Sequence, residues 1–252
     1  MPFGAILHRF ESVASTNDTA RALALGGAAH GTAVLAGEQT SGRGTKGRGW
    51  HSAPGLGLYV SFILRGPEDG AVPFPHLVPL AAGLAASDAI LEAAGLETRL
   101  KWPNDILFEG KKLGGILAEG VGAGSAGGFV IVGIGLNVRH AAADLPGDLR
   151  MTATSLRLAG RREAGVEALF GALCGTLERW YNVLAGGDKE AVVRAFGSRS
   201  AFSRGDAVKV ETAGEIFEAA YEGLDPEGRL AVRRGGAGPV VLDAVLKLER
   251  TP

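Results

Sequence analysis

The chain has one cysteine, Cys174, in 252 residues, which excludes an internal disulfide framework and a zinc site built from several cysteines. With Leu169, Phe170, Leu173 and Leu177 around it, Cys174 reads as a small buried residue of a helix. Excess charge is also missing. The formal net charge is -1, so no global basic field exists to hold a nucleic-acid duplex. The opening "MPFGAILHRF" lacks a basic region followed by a long apolar run, and reads as no secretory leader. The most apolar stretch, 77–94, is interrupted by Ser87, Asp88 and Glu92 and does not read as a transmembrane span. Internal repeats and low-complexity linkers are absent too. These absences predict a soluble, cytoplasmic protein with no membrane partner.

Familiar catalytic signatures are missing as well. His8, His30, His51, His76 and His140 are scattered without metal-site spacing, so each reads as structural or exposed. No GxSxG elbow occurs, and the carboxylates form no obvious acid/base pair.

What is present is enough chain for one sizeable core with a small second domain. A short strand over 6–10 precedes Ser15-Thr16-Asn17-Asp18, whose side chains suit a helix N-cap. Residues 32–36 read as a buried strand, and "LGLYVSFIL" as a longer one. Pro75 and Pro79 bracket the start of a helix to about Glu92, apolar on nearly every side and so expected against a sheet. "TRLKW", "KLGGILAE" and "FVIVGIGLNV" read as strands, the last two joined through "GVGAGSAGG". Helices are predicted over 166–184 and in "KEAVVRAF". Beyond Ala201 short alternating segments predict a small all-β barrel.

Four segments could carry chemistry. "SGRGTKGRGW", 41–50, joins four glycines to Arg43, Lys46, Arg48 and Trp50. Arg48-Gly49 stands where a Walker loop needs Lys-Ser/Thr, so the Mg2+-holding hydroxyl is missing. Flexible backbone beside cations suits an anion, and Trp50 offers a flat face to a ring; an exposed loop or an RNA contact remains open. In "KWPND", Pro103 turns the chain and presents Asn104 and Asp105, which are also ordinary turn residues. "GKKLGGILAE" sets Lys112 beside Gly114 and Gly115, where a ligand or a neighbouring backbone could approach. "GIGLN" places Gly133 and Gly135 on a strand that ends at Asn137, and is no dinucleotide fingerprint.

The order of "STN", "EQTSGRG", "GRGW", "KWPND", "KLGGIL" and "GIGLN" resembles the bacterial biotin–protein ligase family, over essentially the whole chain. That resemblance implies an α+β fold. Residues 1–200 would form a mixed α/β catalytic domain of the class II synthetase-like, biotin–lipoate ligase type, and 201–252 an SH3-like β-barrel. It also implies ATP and biotin as substrates with Mg2+, a biotinyl-5′-AMP intermediate, and transfer to a carrier-domain lysine of a carboxylase such as acetyl-CoA carboxylase. By resemblance, Ser15, Thr16, Asn17 and Gln39 surround the ureido end of biotin, where a urea needs both donors and acceptors. Arg43, Gly44 and Thr45 line its tail and the adenylate phosphate, and Gly114, Gly115, Gly133 and Gly135 form a flat wall for the bicyclic ring. Lys112 pairs with the reacting oxygens and, with Arg43, is the catalytic expectation. Arg48, Trp50, Asn104, Asp105 and Asn137 complete the nucleotide site. A homodimer is a family expectation.

Two departures stand out. Thr45 replaces the arginine usual in the family's "GRGRxGR", and the neighbouring Lys46 does not reproduce an arginine fork, which implies weaker retention of the intermediate. The catalytic segment starts almost at residue 1, leaving no room for a helix-turn-helix domain, so no repressor activity and no DNA partner are expected. Two rivals remain: a lipoate–protein ligase, separable by competition between biotin and lipoate, and a non-catalytic nucleic-acid-binding module, which predicts salt-sensitive binding and no adenylate.

Overall fold

A computed structural model describes residues 2–161, 165–235 and 238–251. Alternation along β3 (Gly57–Arg65) explains the architecture. Leu58, Val60, Phe62 and Leu64 face one side of the sheet and Ile63 the other, and both sets are buried. A strand covered on both faces reads as a continuous apolar run, which is why "LGLYVSFIL" shows no polar side.

The sheet around β3 has seven strands in the order β1-β2-β3-β7-β6-β5-β4. They are β1 (Leu7–Val13), β2 (Ala33–Gln39), β4 (Arg99–Lys101), β5 (Asp105–Phe108), β6 (Lys111–Val121) and β7 (Phe129–Asn137), with β3. β1 and β2 run parallel and the remaining neighbours antiparallel. α1 (Thr16–Leu25) connects β1 to β2 and buries Ala20 and Ala24 against Val34, Ile63 and Ile131. On the opposite face lie α2 (Val78–Ala94) and α3 (Val166–Ala185). The helical stretch Pro75–Ala94, which contains α2, is long and apolar enough to cross a membrane, yet it is mostly buried, with α2 packed against α3 and the sheet, so its place in the core accounts for its composition. Gly95 ends it in the left-handed region at φ 60. Cys174 sits half-buried in α3, where burial pushes its thiol up to about 11.

α4 (Lys189–Ser198) leads to the second sheet. Its strands are β8 (Ala207–Glu211), β9 (Ile216–Leu224), β10 (Leu230–Arg233), β11 (Pro239–Leu242) and β12 (Lys247–Arg250). Their order is β11-β10-β9-β8-β12. The outer strands β11 and β12 are not paired with each other, so among the described residues the barrel expected from the sequence is an open five-stranded sheet. It is seated on the first unit. Trp102 Nε1 donates to the Gly228 carbonyl at 2.9 Å, and Gly228 packs on Leu77 and Leu80. The Ser200 and Tyr221 hydroxyls meet at 2.9 Å.

Two features differ from the sequence reading. β5 was not expected: Asp105, read as a turn residue, opens it, and its four residues are too short to show a period. The long connection 138–165 carries no periodicity, and it proves to border the cavity described next.

Candidate active site

Capping sets one end of the site. Ser15 is extended at φ -153 and its side chain accepts from the Asp18 N–H at 3.5 Å, which fixes the first turn of α1. Thr16 and Asn17 are thereby turned onto the sheet and buried. Gln39 Oε1 accepts from the Thr16 N–H at 2.9 Å and from its hydroxyl at 3.0 Å, while Gln39 Nε2 donates to Ser52 Oγ at 2.9 Å. Ser61 of β3, fully buried, lies 2.8 Å from the Thr16 hydroxyl and donates to Asn17 Oδ1 at 2.6 Å. Asn17 Nδ2 donates to Glu119 Oε2 at 2.7 Å and to the Leu117 carbonyl at 3.3 Å. A Cβ on Gly133 would stand 2.2 Å from Asn17 Oδ1, so glycine there makes room for this amide.

The glycine–cation loop crosses the mouth. Its stems are joined by a bridge between Arg43 and Gly49, by Gly44 N–H to the Arg48 carbonyl at 2.7 Å, and by Trp50 N–H to the Gly42 carbonyl at 2.8 Å. A Cβ on Gly42 would lie 2.5 Å from the Trp50 carbonyl, which excludes any side chain. The tip is a 3-10 turn, Thr45–Gly47, in which Lys46 holds a left-handed φ of 60. The Lys46 ammonium donates to the Val245 carbonyl of the second sheet. Burial, with the neighbouring Arg48 charge, lowers its pKa from the lysine value. Arg43 is held by Glu119 at 2.9 and 2.7 Å and by Asp18 at 2.7 Å. The Trp50 indole lies over Gly135 and Gly115, where added Cβ atoms would meet it at 2.6 and 3.3 Å.

Cations gather at the other end. Lys112 Nζ lies 2.5 Å from Asp105 Oδ1 and 5.4 Å from the centre of the Trp50 ring. Burial holds the Lys101 ammonium below the usual lysine value; Lys112 and Lys247 push the same way, against Asp105 and Glu249. Two asparagines brace this end. Asn104 Nδ2 donates to the Ile116 carbonyl at 2.9 Å, and Asn137 Nδ2 to the Thr154 carbonyl at 2.9 Å. The second bond holds the segment 152–154 beside Lys112.

These parts enclose one cavity of about 530 Å3. Ser15, Thr16, Asn17, Gln39, Arg43, Gly44, Thr45, Arg48, Trp50, Asn104, Asp105, Lys112, Gly115, Gly133, Gly135 and Asn137 all line it. Gly114 does not: strand alternation turns it to the other face, where a Cβ would meet Leu136 at 2.5 Å. Of the lining side chains six are cationic and two anionic, a balance that suits an anion. Among the described residues no group of three or more His, Cys, Asp or Glu could hold a metal.

Sequence reading missed several lining or supporting groups. Lys101 stood inside a quoted motif without a role, and its burial was the missing signal. Ser61, a lone hydroxyl inside an apolar strand, could have been flagged as a buried polar group needing partners. Leu145, Leu149 and Met151 lie on the aperiodic connection, and Lys247 and Glu249 come from the second sheet; neither placement has a local signal.

The biotin/lipoate A/B protein ligase family matches residues 9–137. The bifunctional ligase/repressor of Bacillus subtilis is 46% identical over 144 residues, covering 57% of this chain and 44% of the relative, so this chain spans less than half of that protein. The biotin–acetyl-CoA-carboxylase ligase of Mycobacterium tuberculosis is 35% identical over 237 residues, 90% of this chain and 83% of the relative. Among solved structures, the biotin protein ligase from Aquifex aeolicus in complex with biotin and ATP matches with a TM-score of 0.82 at 26% identity, covering 98% of this chain and 100% of that one.

Proposed function

This chain belongs to the biotin/lipoate A/B protein ligase family, and we propose that it uses ATP to attach biotin to a lysine of a biotin carboxyl carrier domain. The observation that carries this reading is the union, in one cavity, of a neutral hydrogen-bonding end and a cationic end. The ureido ring belongs at Ser15, Thr16, Asn17 and Gln39, which line that end, with the buried Ser61 bracing Thr16 and Asn17 from behind. The valerate carboxylate then reaches toward Lys112, and the nucleotide phosphates lie among Arg48, Lys101 and Lys112 with Trp50 beside the adenine.

In the first step a biotin carboxylate oxygen bonds to the α-phosphorus of ATP, the bond from that phosphorus to the bridging oxygen breaks, and pyrophosphate leaves. In the second, the carrier lysine amine attacks the acyl carbon, the bond to AMP breaks, and the amine loses a proton as the amide forms. Both transition states crowd negative charge, so positioning and cations supply the catalysis and no protein nucleophile is needed. Mg2+ arrives on the nucleotide. Asp105, a cavity-lining carboxylate paired with Lys112, would be available to a cation held mainly by phosphates and water.

We assign residues 1–200 to the catalytic domain and 201–252 to an SH3-like unit, and we locate the reaction in the cytoplasm. The outer edge of β1, paired only with β2 and exposed along its middle, is our candidate for a homodimer contact. The repressor activity named for the Bacillus relative forms no part of this reading. Incubation with biotin, MgATP and an apo carrier domain should give biotinylated carrier, with biotin outcompeting lipoate for adenylation. Absence of transfer to a competent carrier would sink the proposal, and preference for lipoate would redirect it to the sister activity.

A further inference from the structure

Glu119 of β6 stands outside the cavity lining, yet its carboxylate joins the two parts that must act together. Oε2 accepts from Asn17 Nδ2 at 2.7 Å, and the same carboxylate takes the Arg43 guanidinium at 2.9 and 2.7 Å. Asp18, in the first turn of α1, holds Arg43 from the other side at 2.7 Å. Arg43 in turn bridges to Gly49, so holding it fixes both stems of the loop that carries Lys46, Arg48 and Trp50. The Glu119 side chain is 24% exposed and that of Arg43 39%, so water screens this pair in part, while the Asn17 contact is part-buried. Burial alone would raise its carboxyl; hydrogen bonds from Asn17 and Arg43 outweigh this and hold it below the usual glutamate value.

Asn17 has both amide hydrogens engaged, on Glu119 and on the Leu117 carbonyl. A ring acceptor arriving at this end competes for them. When Asn17 turns a hydrogen toward that acceptor, Glu119 Oε2 loses its neutral partner and is left wholly to the charged one, and charge-assisted pairs are the stronger kind. The Arg43 clamp then tightens.

We propose that Glu119 is a positioning residue that couples filling of the Asn17 end to closure of the glycine–cation loop, and so couples biotin binding to nucleotide binding. This rests on the biotin-adenylating reading above. Glu119 touches neither substrate and acts through Asn17 and Arg43.

The test is the biotin affinity of the intact protein, measured with and without the MgATP analogue α,β-methylene-ATP. In the unaltered protein the analogue should tighten biotin binding about tenfold, an ordinary coupling between two sites. Glu119→Gln keeps the shape and one acceptor but removes the charge, and should reduce that ratio to about one while biotin affinity alone shifts by less than about threefold. Glu119→Asp keeps the charge with a shorter reach and should give an intermediate ratio, which guards against a folding failure of the first variant. Because Glu119 acts through Arg43, Glu119→Gln should change the ratio no further in an Arg43→Ala background. A ratio unchanged in Glu119→Gln, or additive effects in the double variant, overturns the proposal and leaves the ligase reading intact. An unaltered protein that binds no biotin overturns both.

Discussion

At one end of the cavity Thr16, Asn17 and Gln39 sit on α1 and β2, backed by the buried Ser61 of β3, each within 3.0 Å of a protein partner. At the other, Lys46, Lys101, Lys112 and Lys247 come from a loop tip, two strand ends and the second sheet, and burial, then neighbouring cations, works against the charge of Lys46 and Lys101. The first end is a preformed hydrogen-bonded network and, on the proposed reading, re-pairs at Asn17 when a neutral polar ring arrives. The second gains most from a polyanion that relieves like-charge crowding. α1 and two strands hold the polar end, while the cationic end adds the glycine–cation loop and the second sheet to β4 and β6.

The largest expected effect is at the cationic end. Lys112→Ala should slow adenylate formation on the order of 100-fold or more in single-turnover measurements, as loss of one transition-state charge partner does. Lys112 lies outside the apolar core, so the variant should still fold. Near-normal adenylation would remove Lys112 from the chemistry.

At the polar end, Ser61→Val leaves Asn17 Oδ1 and the Thr16 hydroxyl short of a buried partner, at a loss of about 1–3 kcal/mol in urea unfolding. The KM for biotin should rise roughly tenfold with that for ATP unchanged. A matched pair of glycine variants separates the ends more finely. Gly133→Ala drives a methyl against Asn17 and Gly135→Ala against Trp50, at 2.2 and 2.6 Å, an overpacking of about 1–3 kcal/mol each. The first should raise the KM for biotin and the second that for ATP; equal effects on both constants would erase the distinction.

The smallest effect is a proton count. Burial and neighbouring cations lower Lys101 in the free protein, and a triphosphate raises it again. Between those two values the free protein carries a neutral Lys101 and the complex a charged one. ATP binding should therefore take up a proton on the alkaline side, below the ordinary lysine range. Calorimetry in buffers of different ionisation enthalpy reads this directly, and Lys101→Met should reduce it, leaving the share of Lys46.

Local rules made much of the first unit readable. Ser15 is the N-cap its residue type suggested, α2 is the buried helix its all-round apolarity required, and β6 and β7 pair across the glycine-rich turn. Residue roles were less legible where side chains choose partners far along the chain. Arg43, read as a phosphate ligand, has its guanidinium engaged by Glu119 and Asp18, and Asn104 and Asn137 use their amide donors on backbone carbonyls. The glycines expected to admit a ring have a nearer reason, since Gly133 accommodates Asn17 and Gly135 accommodates Trp50. Thr45 does line the cavity at the loop tip, and the neighbouring Lys46 anchors that tip to Val245. No short-range pattern encodes a contact of that separation.

A crystal structure of the protein with biotinyl-5′-AMP tests the two-ended cavity most directly. The account predicts the ureido ring hydrogen-bonded among Thr16, Asn17 and Gln39, the phosphate within reach of Lys112, and the adenine against Trp50. A ligand bound the other way round, or outside this cavity, would contradict it.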